Sequence, residues 1–264
     1  MKKFLQWLLA PVRITLLQPA YEKLYLFTLY AMNYGGGSFT DDSGEKYVVG
    51  YVARKTADQP GPVIIFDVGA NVGSYARMLL LNGLGSRATI HCFEPSRVTG
   101  QTLKRNVPES NVEIHNIGLS DQVGELALYT DAEQSGMTSV YERDLGHINL
   151  SFTQQEVATF STVDEFSAHR SIDRIDLLKI DVEGHELAVL RGASRMIGEQ
   201  RVRFIQFEFG GTSIDSRTYF RDFWHLLSPN YTLYRIVGNG LRRIDAYSEF
   251  LEIFVTVNFL AERR

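Results

Sequence analysis

Residues 63–73, VIIFDVGANVG, constrain the fold of this chain more than any other segment. An apolar run leads to the carboxylate of Asp67, and a turn that contains Gly69 and Gly73 follows directly. This pattern is typical of a buried parallel strand that delivers the chain to a nucleotide-sized ligand at the strand's carboxyl end. The two glycines allow the backbone to approach that ligand closely. Residues 74–83 then predict a helix whose N-terminus faces it.

A second apolar run, ATIHCFEP, ends near the carboxylate of Glu94. A carboxylate at the end of the second strand can accept hydrogen bonds from both hydroxyls of a ribose. The spacing Gly69-x-x-x-Gly73 departs from the G-x-G-x-x-G of dinucleotide sites. Asp67 would repel a pyrophosphate but attract the amino group and sulfonium of S-adenosylmethionine, which we therefore favour over NAD. The alternative is that Asp67 only caps the turn and that Glu94 is a solvated surface acid.

Apolar runs alternate along the chain with helical patterns, which predicts an α/β fold with a doubly wound, Rossmann-like sheet of seven mostly parallel strands. The predicted strands lie near 63–68, 88–94, 112–118, 176–181, 202–209, 231–237 and 251–259. The predicted helices lie near 74–83, 96–106, 185–197 and 216–228. The stretch 123–163 interrupts the alternation, and its LALYTD and TSVYERD pieces predict an inserted β-hairpin with Gly136 in the loop. We expect the main domain to occupy residues 45–264.

Residues 1–44 form an N-terminal appendage that we expect to be a helical cap. Its first 34 residues are apolar and lightly basic, but Pro11, Arg13, Gln18 and Pro19 interrupt them, so no stretch approaches the ~20 apolar residues that span a bilayer. Two interpretations remain, a helical cap packed on the main domain or an amphipathic helix that rests on a membrane surface. We favour the cap, because apolar helical stripes are more often core than membrane contact.

The chain of 264 residues carries 27 basic and 31 acidic side chains, a formal net charge of −4. This balance gives no indication of a nucleic-acid partner. The single cysteine, Cys92, lies in a predicted buried strand, where we expect it to act as a small hydrophobe. One cysteine excludes a disulfide within the chain, so we expect a cytoplasmic protein, with membrane association through residues 1–34 as an open alternative. The sequence does not indicate an oligomeric state.

Five segments occur in an order that carries a more specific indication. They are DVGANVGSYA, FEPS, IGLSDQVGELALY, DLLKIDVEGHELAVLRGA and IQFEF. Over roughly residues 45–260 the chain thereby resembles the FkbM family of S-adenosylmethionine-dependent methyltransferases. The resemblance implies a class I methyltransferase fold, methyl transfer to a hydroxyl oxygen, and acceptors that are sugars, glycans or polyketide natural products. The chain departs from the family at Gly118, where members usually have alanine, and at His185, where many carry a small residue.

The resemblance matches the glycine-turn motif to Asp67, Gly69, Asn71 and Gly73, and the ribose-binding acid to Glu94. Ser120 and Asp121, at the end of the third predicted strand, offer a hydroxyl and a carboxylate to an adenine amino group, or they form a plain turn cap. Our full set of candidate cofactor-binding residues comprises Asp67, Gly69, Ala70, Asn71, Gly73, Ser74, Glu94, Pro95, Ser96, Ser120, Asp121 and Asp181.

The candidates for catalysis lie in KIDVEGHE and QFEF. These segments should bring Asp181, Glu183, His185 and Glu208 to one edge of the sheet, because the fourth and fifth predicted strands end there. We expect His185 or Asp181 to accept the proton of the acceptor hydroxyl. Buried Lys179 requires a carboxylate partner, either Asp181 or Glu208. Alternatively, Asp181 and Glu208 hold Mg²⁺, which would lower the pKa of the hydroxyl directly.

Together these features predict an S-adenosylmethionine-dependent O-methyltransferase that acts on a sugar hydroxyl of a glycan or a glycosylated natural product. The rival hypotheses are a non-catalytic cofactor-binding scaffold and an NAD-dependent oxidoreductase, which the chain's lack of a recognisable Tyr-x-x-x-Lys disfavours. Thr138, Ser139 and Tyr141 of the insertion are candidate hydrogen-bond donors to the acceptor. The aromatic stripe of residues 218–227 most simply faces the core.

Overall fold

The computed structural model describes residues 15–35, 43–131, 136–146 and 149–264. The described strands, in chain order, are β1 Val63–Val68, β2 Ala88–Phe93, β3 Val112–His115, β4 Gly118–Leu119, β5 Gly124–Thr130, β6 Gln154–Ser161, β7 Ile175–Ile180, β8 Val202–Phe209, β9 Tyr231–Val237, β10 Gly240–Ile244 and β11 Val257–Arg263. The described α-helices are α1 Gln18–Ala31, α2 Glu45–Lys55, α3 Ser74–Leu81, α4 Arg97–Asn106, α5 Val163–His169, α6 Glu186–Arg191, α7 Ser194–Gly198, α8 Thr212–Asp215 and α9 Phe220–Leu227.

The central sheet has the strand order β10-β9-β11-β8-β7-β1-β2-β3. Strands β3, β2, β1, β7 and β8 run parallel to one another, and β11, β9 and β10 pair in antiparallel fashion beyond them. Successive residues of β1 point to opposite faces. Ile65 packs into a core with α2, α3 and α4, whereas Phe66 packs into a second core with α5, α6, α7 and α9. Helices therefore cover both faces, which confirms the predicted doubly wound α/β fold.

The antiparallel end of the sheet differs in detail from the prediction. β11 begins at Val257, so the predicted last strand at 251–259 lies several residues too early. β10 is an eighth strand that the sequence analysis did not predict. Val237 pairs with Gly240, which leaves a two-residue turn, Gly238-Asn239, between β9 and β10. Gly-Asn is a known signal for such a tight hairpin.

The insertion forms a separate three-stranded sheet with the order β4-β6-β5. The predicted third strand is therefore split, because β3 ends at His115 and Gly118–Leu119 pairs with β6 instead. The predicted pairing partner of β5 was wrong. The TSVYERD segment contributes a single bridge, Ser139 to Tyr129, and the antiparallel partner is β6. The physical reason is burial, since Ala158 and Phe160 of β6 cover Leu128 of β5.

The aromatic stripe around α9 meets the core at three of its four positions, with Trp224 partly buried against it. Phe220 and Phe223 are fully buried against aromatic rings of β8 and β11, whereas Tyr219 is exposed. Cys92 is also fully buried, as expected. Burial raises the pKa of its thiol, which agrees with a packing role.

Helix α1 contacts the main domain at its C-terminal end. Leu29 and Tyr34 are buried, and the side chain of Asn33 donates hydrogen bonds to the carbonyls of Ser43 (2.9 Å) and Ile236 (3.2 Å). Most other side chains of α1 are exposed. No helix within the described residues is long and apolar enough to cross a bilayer.

Candidate functional site

A cavity lies at the carboxyl ends of β1, β2 and β7. The insertion forms its opposite wall through Leu128 of β5, Phe160 of β6 and residues 136–140. In doubly wound sheets, ligands bind at the carboxyl ends of the parallel strands, at the point where the strand order reverses. Here that point lies between β1 and β7. The cavity is therefore the candidate active site.

The turn after β1 requires glycine at position 69. Gly69 has a φ of +78°, and a Cβ there would lie 1.8 Å from the carbonyl oxygen of Asp181. The backbone amides of Gly69 and Ala70 both donate to the carbonyl of Phe93 at 3.0 Å. The ends of β1, β2 and β7 thus meet at this turn, and no larger residue fits between them.

Glu94 presents a buried carboxylate to the cavity. Its two oxygens accept backbone N–H bonds from Asn71 and Ser96, each at 3.0 Å. Burial raises its pKa to about 7, although both hydrogen bonds favour the charged form. A carboxylate has about four lone-pair sites, so acceptor capacity remains for hydroxyl donors in the cavity. This arrangement fits a ribose diol.

Lys179 lies between two carboxylates at the back of the site. Its Nζ is 3.3 Å from Asp181 and 3.4 Å from Asp67, and it stands 5.0 Å over the ring of Tyr75. Burial opposes the charge of Lys179, but Asp181, Asp67 and Glu45 outweigh it and raise the pKa. Asp181 is thus the partner expected for this lysine, while Asp67 is fully buried behind the cavity wall.

His185 lies in a chain of hydrogen bonds that leads from the insertion to the surface. Its Nδ1 is 3.2 Å from the Tyr141 hydroxyl, and its Nε2 is 2.9 Å from the Ser120 hydroxyl. Ser120 donates to the exposed carboxylate of Asp121 at 3.1 Å. Because the hydroxyl proton of Ser120 is used in this bond, the Ser120 oxygen accepts a hydrogen bond from Nε2–H of His185. Nδ1 of His185 then accepts a hydrogen bond from the Tyr141 hydroxyl. Burial lowers the pKa of His185 to about 4, so the ring is neutral near pH 7.

Three further acids surround Asp181. Glu183, with a φ of +53°, pairs with Arg143 at 2.7 Å, and burial followed by the charge of Asp181 raises its pKa to about 8. Glu186 accepts the amides of Val182 and Gly184 and so holds the loop after β7. Burial, with Asp181 and Glu183 next in importance, raises the pKa of Glu208 well above its ordinary value.

The predicted site residues separate into two groups. Those that line the cavity are Gly69, Asn71, Glu94, Pro95, Asp181, Glu183 and His185. Those that do not are Asp67, Ala70, Gly73, Ser74, Ser96, Ser120, Asp121 and Glu208. Ser120 and Asp121 instead connect to His185, so their predicted role at the adenine has no support from the cavity lining.

Several lining residues were missed by the sequence analysis. They include Thr99 of α4, Leu128, Val140 and Phe160. The alternation of apolar side chains in β5 and β6 carried a signal for Leu128 and Phe160, but only once the two strands are paired correctly.

Among the described residues, neither Asp181 nor Glu208 belongs to a cluster of three or more histidine, cysteine or acidic side chains close enough to share a metal ion. One set with that property, His91, Glu113 and His115, lies on β2 and β3, away from the cavity.

The strand order, the glycine turn after β1 and the acid after β2 together define a class I methyltransferase fold. Residues 67–236 match the family model described as Methyltransferase FkbM domain. The chain belongs to the FkbM methyltransferase family.

Three relatives indicate the range of this family. The chain is 31% identical over 167 residues to the 31-O-demethyl-FK506 methyltransferase FkbM of Streptomyces tacrolimicus, covering 54% of this chain and 63% of the relative. It is 25% identical over 162 residues to the 2-O-methyltransferase NoeI of Sinorhizobium fredii, covering 58% and 65%. It is 25% identical over 171 residues to the hexuronic acid methyltransferase AglP of Haloferax volcanii, covering 64% and 63%. The matches thus span less than two thirds of these relatives.

Among solved structures, the chain is similar to a methyltransferase FkbM from Methylobacillus flagellatus. The TM-score is 0.47 at 18% identity, and the match covers 75% of this chain and 43% of that one.

Proposed function

We propose that this protein is an S-adenosylmethionine-dependent O-methyltransferase that methylates a sugar hydroxyl. The observation that carries the proposal is Glu94, a buried carboxylate that faces the cavity beside a turn that only glycine can form. The relatives support the reaction class, since one is named a 2-O-methyltransferase, one a 31-O-demethyl-FK506 methyltransferase and one a hexuronic acid methyltransferase.

The residues of the cavity fit this cofactor. Glu94 would accept hydrogen bonds from the ribose hydroxyls. Because Gly69 has no side chain, the cofactor could approach the main chain of the turn closely. Asp181 and Glu183 line the cavity with carboxyl oxygens that can accept hydrogen bonds from the amino group of the cofactor. The cofactor supplies an activated methyl group, so the protein contributes mainly orientation, for which gains of ~7–11 kcal/mol are known in well-aligned reactions.

In this proposal, the proton of the acceptor hydroxyl is transferred by way of His185. Nδ1 of the neutral ring receives the proton by way of the Tyr141 hydroxyl, Nε2 gives its own proton to Ser120, and Ser120 passes its hydroxyl proton to Asp121 on the surface. General bases contribute roughly 10²–10⁴-fold to the rate, and the lowered pKa of His185 places its contribution at the low end of that range. Asp181, fixed by Lys179, orients the acceptor hydroxyl.

The direct test is calorimetric titration with S-adenosylhomocysteine and, separately, with NADH. We expect micromolar binding of S-adenosylhomocysteine and none of NADH. Binding of NADH alone would overturn the proposal in favour of an oxidoreductase. Binding of S-adenosylhomocysteine without turnover on any sugar or glycan acceptor would favour the non-catalytic scaffold.

Chelation decides the part played by Mg²⁺. In this proposal His185 accepts the proton, so turnover should survive EDTA. Loss of turnover with EDTA and recovery with Mg²⁺ would assign the activation of the hydroxyl to a metal at Asp181 and Glu208 instead.

A further inference from the structure

Helix α1 exposes six large apolar side chains, although its Leu29 is buried. Those with more than a third of their surface exposed are Tyr21, Leu24, Tyr25, Leu26, Phe27 and Tyr30. Phe27 and Tyr30 are each 67% exposed, and Leu24 is 55% exposed. Contiguous apolar surface of this kind is rare on soluble proteins and marks a contact with another apolar phase or partner.

The helix joins the main domain at the edge of the sheet that carries the cavity. Asn33 binds Ile236 at the end of β9, and Gly35 donates to Thr256 just before β11. β9 runs parallel to β8 and β7, because both β8 and β9 pair antiparallel with β11. The end of β9 therefore lies on the same edge as the ends of β7 and β1, where the cavity opens.

The charge of this segment is opposite to that of the rest of the chain. Residues 1–31 carry four basic side chains, Lys2, Lys3, Arg13 and Lys23, against the single acid Glu22, a formal charge of +3 in a chain whose net charge is −4. Lys2, Lys3 and Arg13 precede the described residues in the chain, and Lys23 and Glu22 belong to α1. Tyrosines are also enriched where proteins meet the membrane–water interface, and α1 has three of them with exposed rings.

We infer that α1 docks on the surface of an anionic lipid bilayer and thereby turns the cavity edge towards the membrane. Exposed apolar side chains enter the interface, while basic side chains of the same segment attract acidic headgroups. The consequence for the substrate rests on the proposed function: the methyl acceptor is a hydroxyl of a glycan attached to a membrane lipid, which such an orientation brings to the cavity.

Cosedimentation with vesicles tests the docking without any assay of activity. Vesicles of phosphatidylcholine with phosphatidylglycerol should bind the full chain, and vesicles of phosphatidylcholine alone should bind it far more weakly, since each basic residue near an anionic surface strengthens binding about fivefold. The double variant Leu24→Glu, Phe27→Glu should reduce binding by more than about tenfold, because both side chains would carry charge into the interface.

Leu81→Glu is the matched control, since Leu81 is 79% exposed but ends α3 at the opposite edge of the sheet. It should bind vesicles as the wild-type chain does. Each variant is first shown to bind S-adenosylhomocysteine like the wild type, which separates failure of the docking from failure of the proposed function. Equal vesicle binding by the α1 variant, or a dimer in solution that this variant dissociates without any vesicle binding, would overturn the inference; the second result would assign α1 to a second copy of the chain.

Discussion

Individual residues of the cavity carry distinct and separable tasks. Glu94 is a buried acid held by two backbone amides, and Gly69 is a glycine for which the conformation and the space both exclude a side chain. Both were predicted from the sequence, because a glycine turn and an acid after two apolar strands are local signals. Asp67 was expected to face the ligand, but strand alternation directs it behind the wall, where Lys179 pairs with it.

Replacing Glu94 with Gln should weaken binding of S-adenosylhomocysteine by ~1.5–3 kcal/mol, the usual worth of hydrogen bonds to a charged group. The pKa of Glu94 is raised to about 7, so in the wild type the charged form grows as the pH rises through that value. Affinity should therefore increase from about pH 6 to about pH 8, and the variant should lack this increase. Calorimetry at both pH values measures the effect. Identical pH profiles for the two proteins would remove Glu94 from the cofactor site.

The raised pKa of Glu94 has the opposite effect on the stability of the ligand-free protein, which should fall as the pH rises. A buried acid whose folded pKa exceeds its unfolded value contributes stability that is full below about pH 4.5 and is lost as the pH rises through about 7. Urea unfolding across this range should show a shallower loss of stability for Glu94→Gln than for the wild type.

Gly69→Ala should abolish cofactor binding and destabilise the fold. The added Cβ would meet the Asp181 carbonyl at 1.8 Å, in addition to the strain of a φ of +78°. Gly61→Ala is a matched control, because Gly61 has a φ of +77° and open space around it. The control should cost about 1–3 kcal/mol from backbone strain alone. If chemical denaturation gives equal losses for both variants, the close approach of β1 and β7 is not what requires the glycine.

At the scale of elements, the insertion is what closes the cavity and completes the hydrogen-bond chain. Tyr141 reaches His185 at the start of α6, and Ser120 reaches it from the end of β4. The sequence analysis could not predict this convergence, because the pairing of β5 with β6 depends on burial of Leu128 by residues some thirty positions away. Local patterns define strands well but leave the choice between possible partners open.

Tyr141→Phe should lower turnover while leaving affinity for S-adenosylhomocysteine unchanged, because it removes the donor to Nδ1 of His185. A loss within the roughly 10²–10⁴-fold range of general-base catalysis is expected for His185→Gln, and a smaller one for Tyr141→Phe. Tyr129→Phe, which removes a phenol hydroxyl from β5, serves as the control. Steady-state rates measured with an identified acceptor decide the matter. Wild-type turnover in His185→Gln would leave Asp181 as the proton acceptor.

The glycine at position 118 has an explanation in the same insertion. A Cβ there would lie 2.2 Å from the ring of Phe160. Gly118→Ala should therefore destabilise the protein by about 1–3 kcal/mol, the usual cost of overpacking. Gly118→Ala should cost less stability in a Phe160→Leu background than in the wild-type background, because the smaller side chain leaves room for the added methyl group. Additive losses in a double-mutant cycle would show that the two positions are independent.

At the scale of the whole molecule, the sequence was informative about the parallel half of the sheet and less so about its periphery. β1, β2, β7 and β8 are mostly apolar, with isolated polar residues such as Asp67, His91 and Lys179, which is close to how buried parallel strands appear in a sequence. β10 is short and has two exposed arginines, Arg242 and Arg243, so it lacks the apolar pattern of a strand and was missed. The sequence analysis favoured a helical cap for α1 and left contact with a membrane surface as the alternative, because its composition suits both.

The junction of Gly69 with Asp181 has a mechanical consequence. The turn that would carry the methyl donor and the loop that would carry the acceptor are in direct backbone contact, and the amide of Asp181 also donates to the carbonyl of Val68 at 3.0 Å. Because their main chains are in contact, the turn after β1 and the loop after β7 should move together. In the proposed reaction, occupancy of the donor half of the cavity should therefore change the affinity of the acceptor half, and by linkage the reverse effect should be equally large.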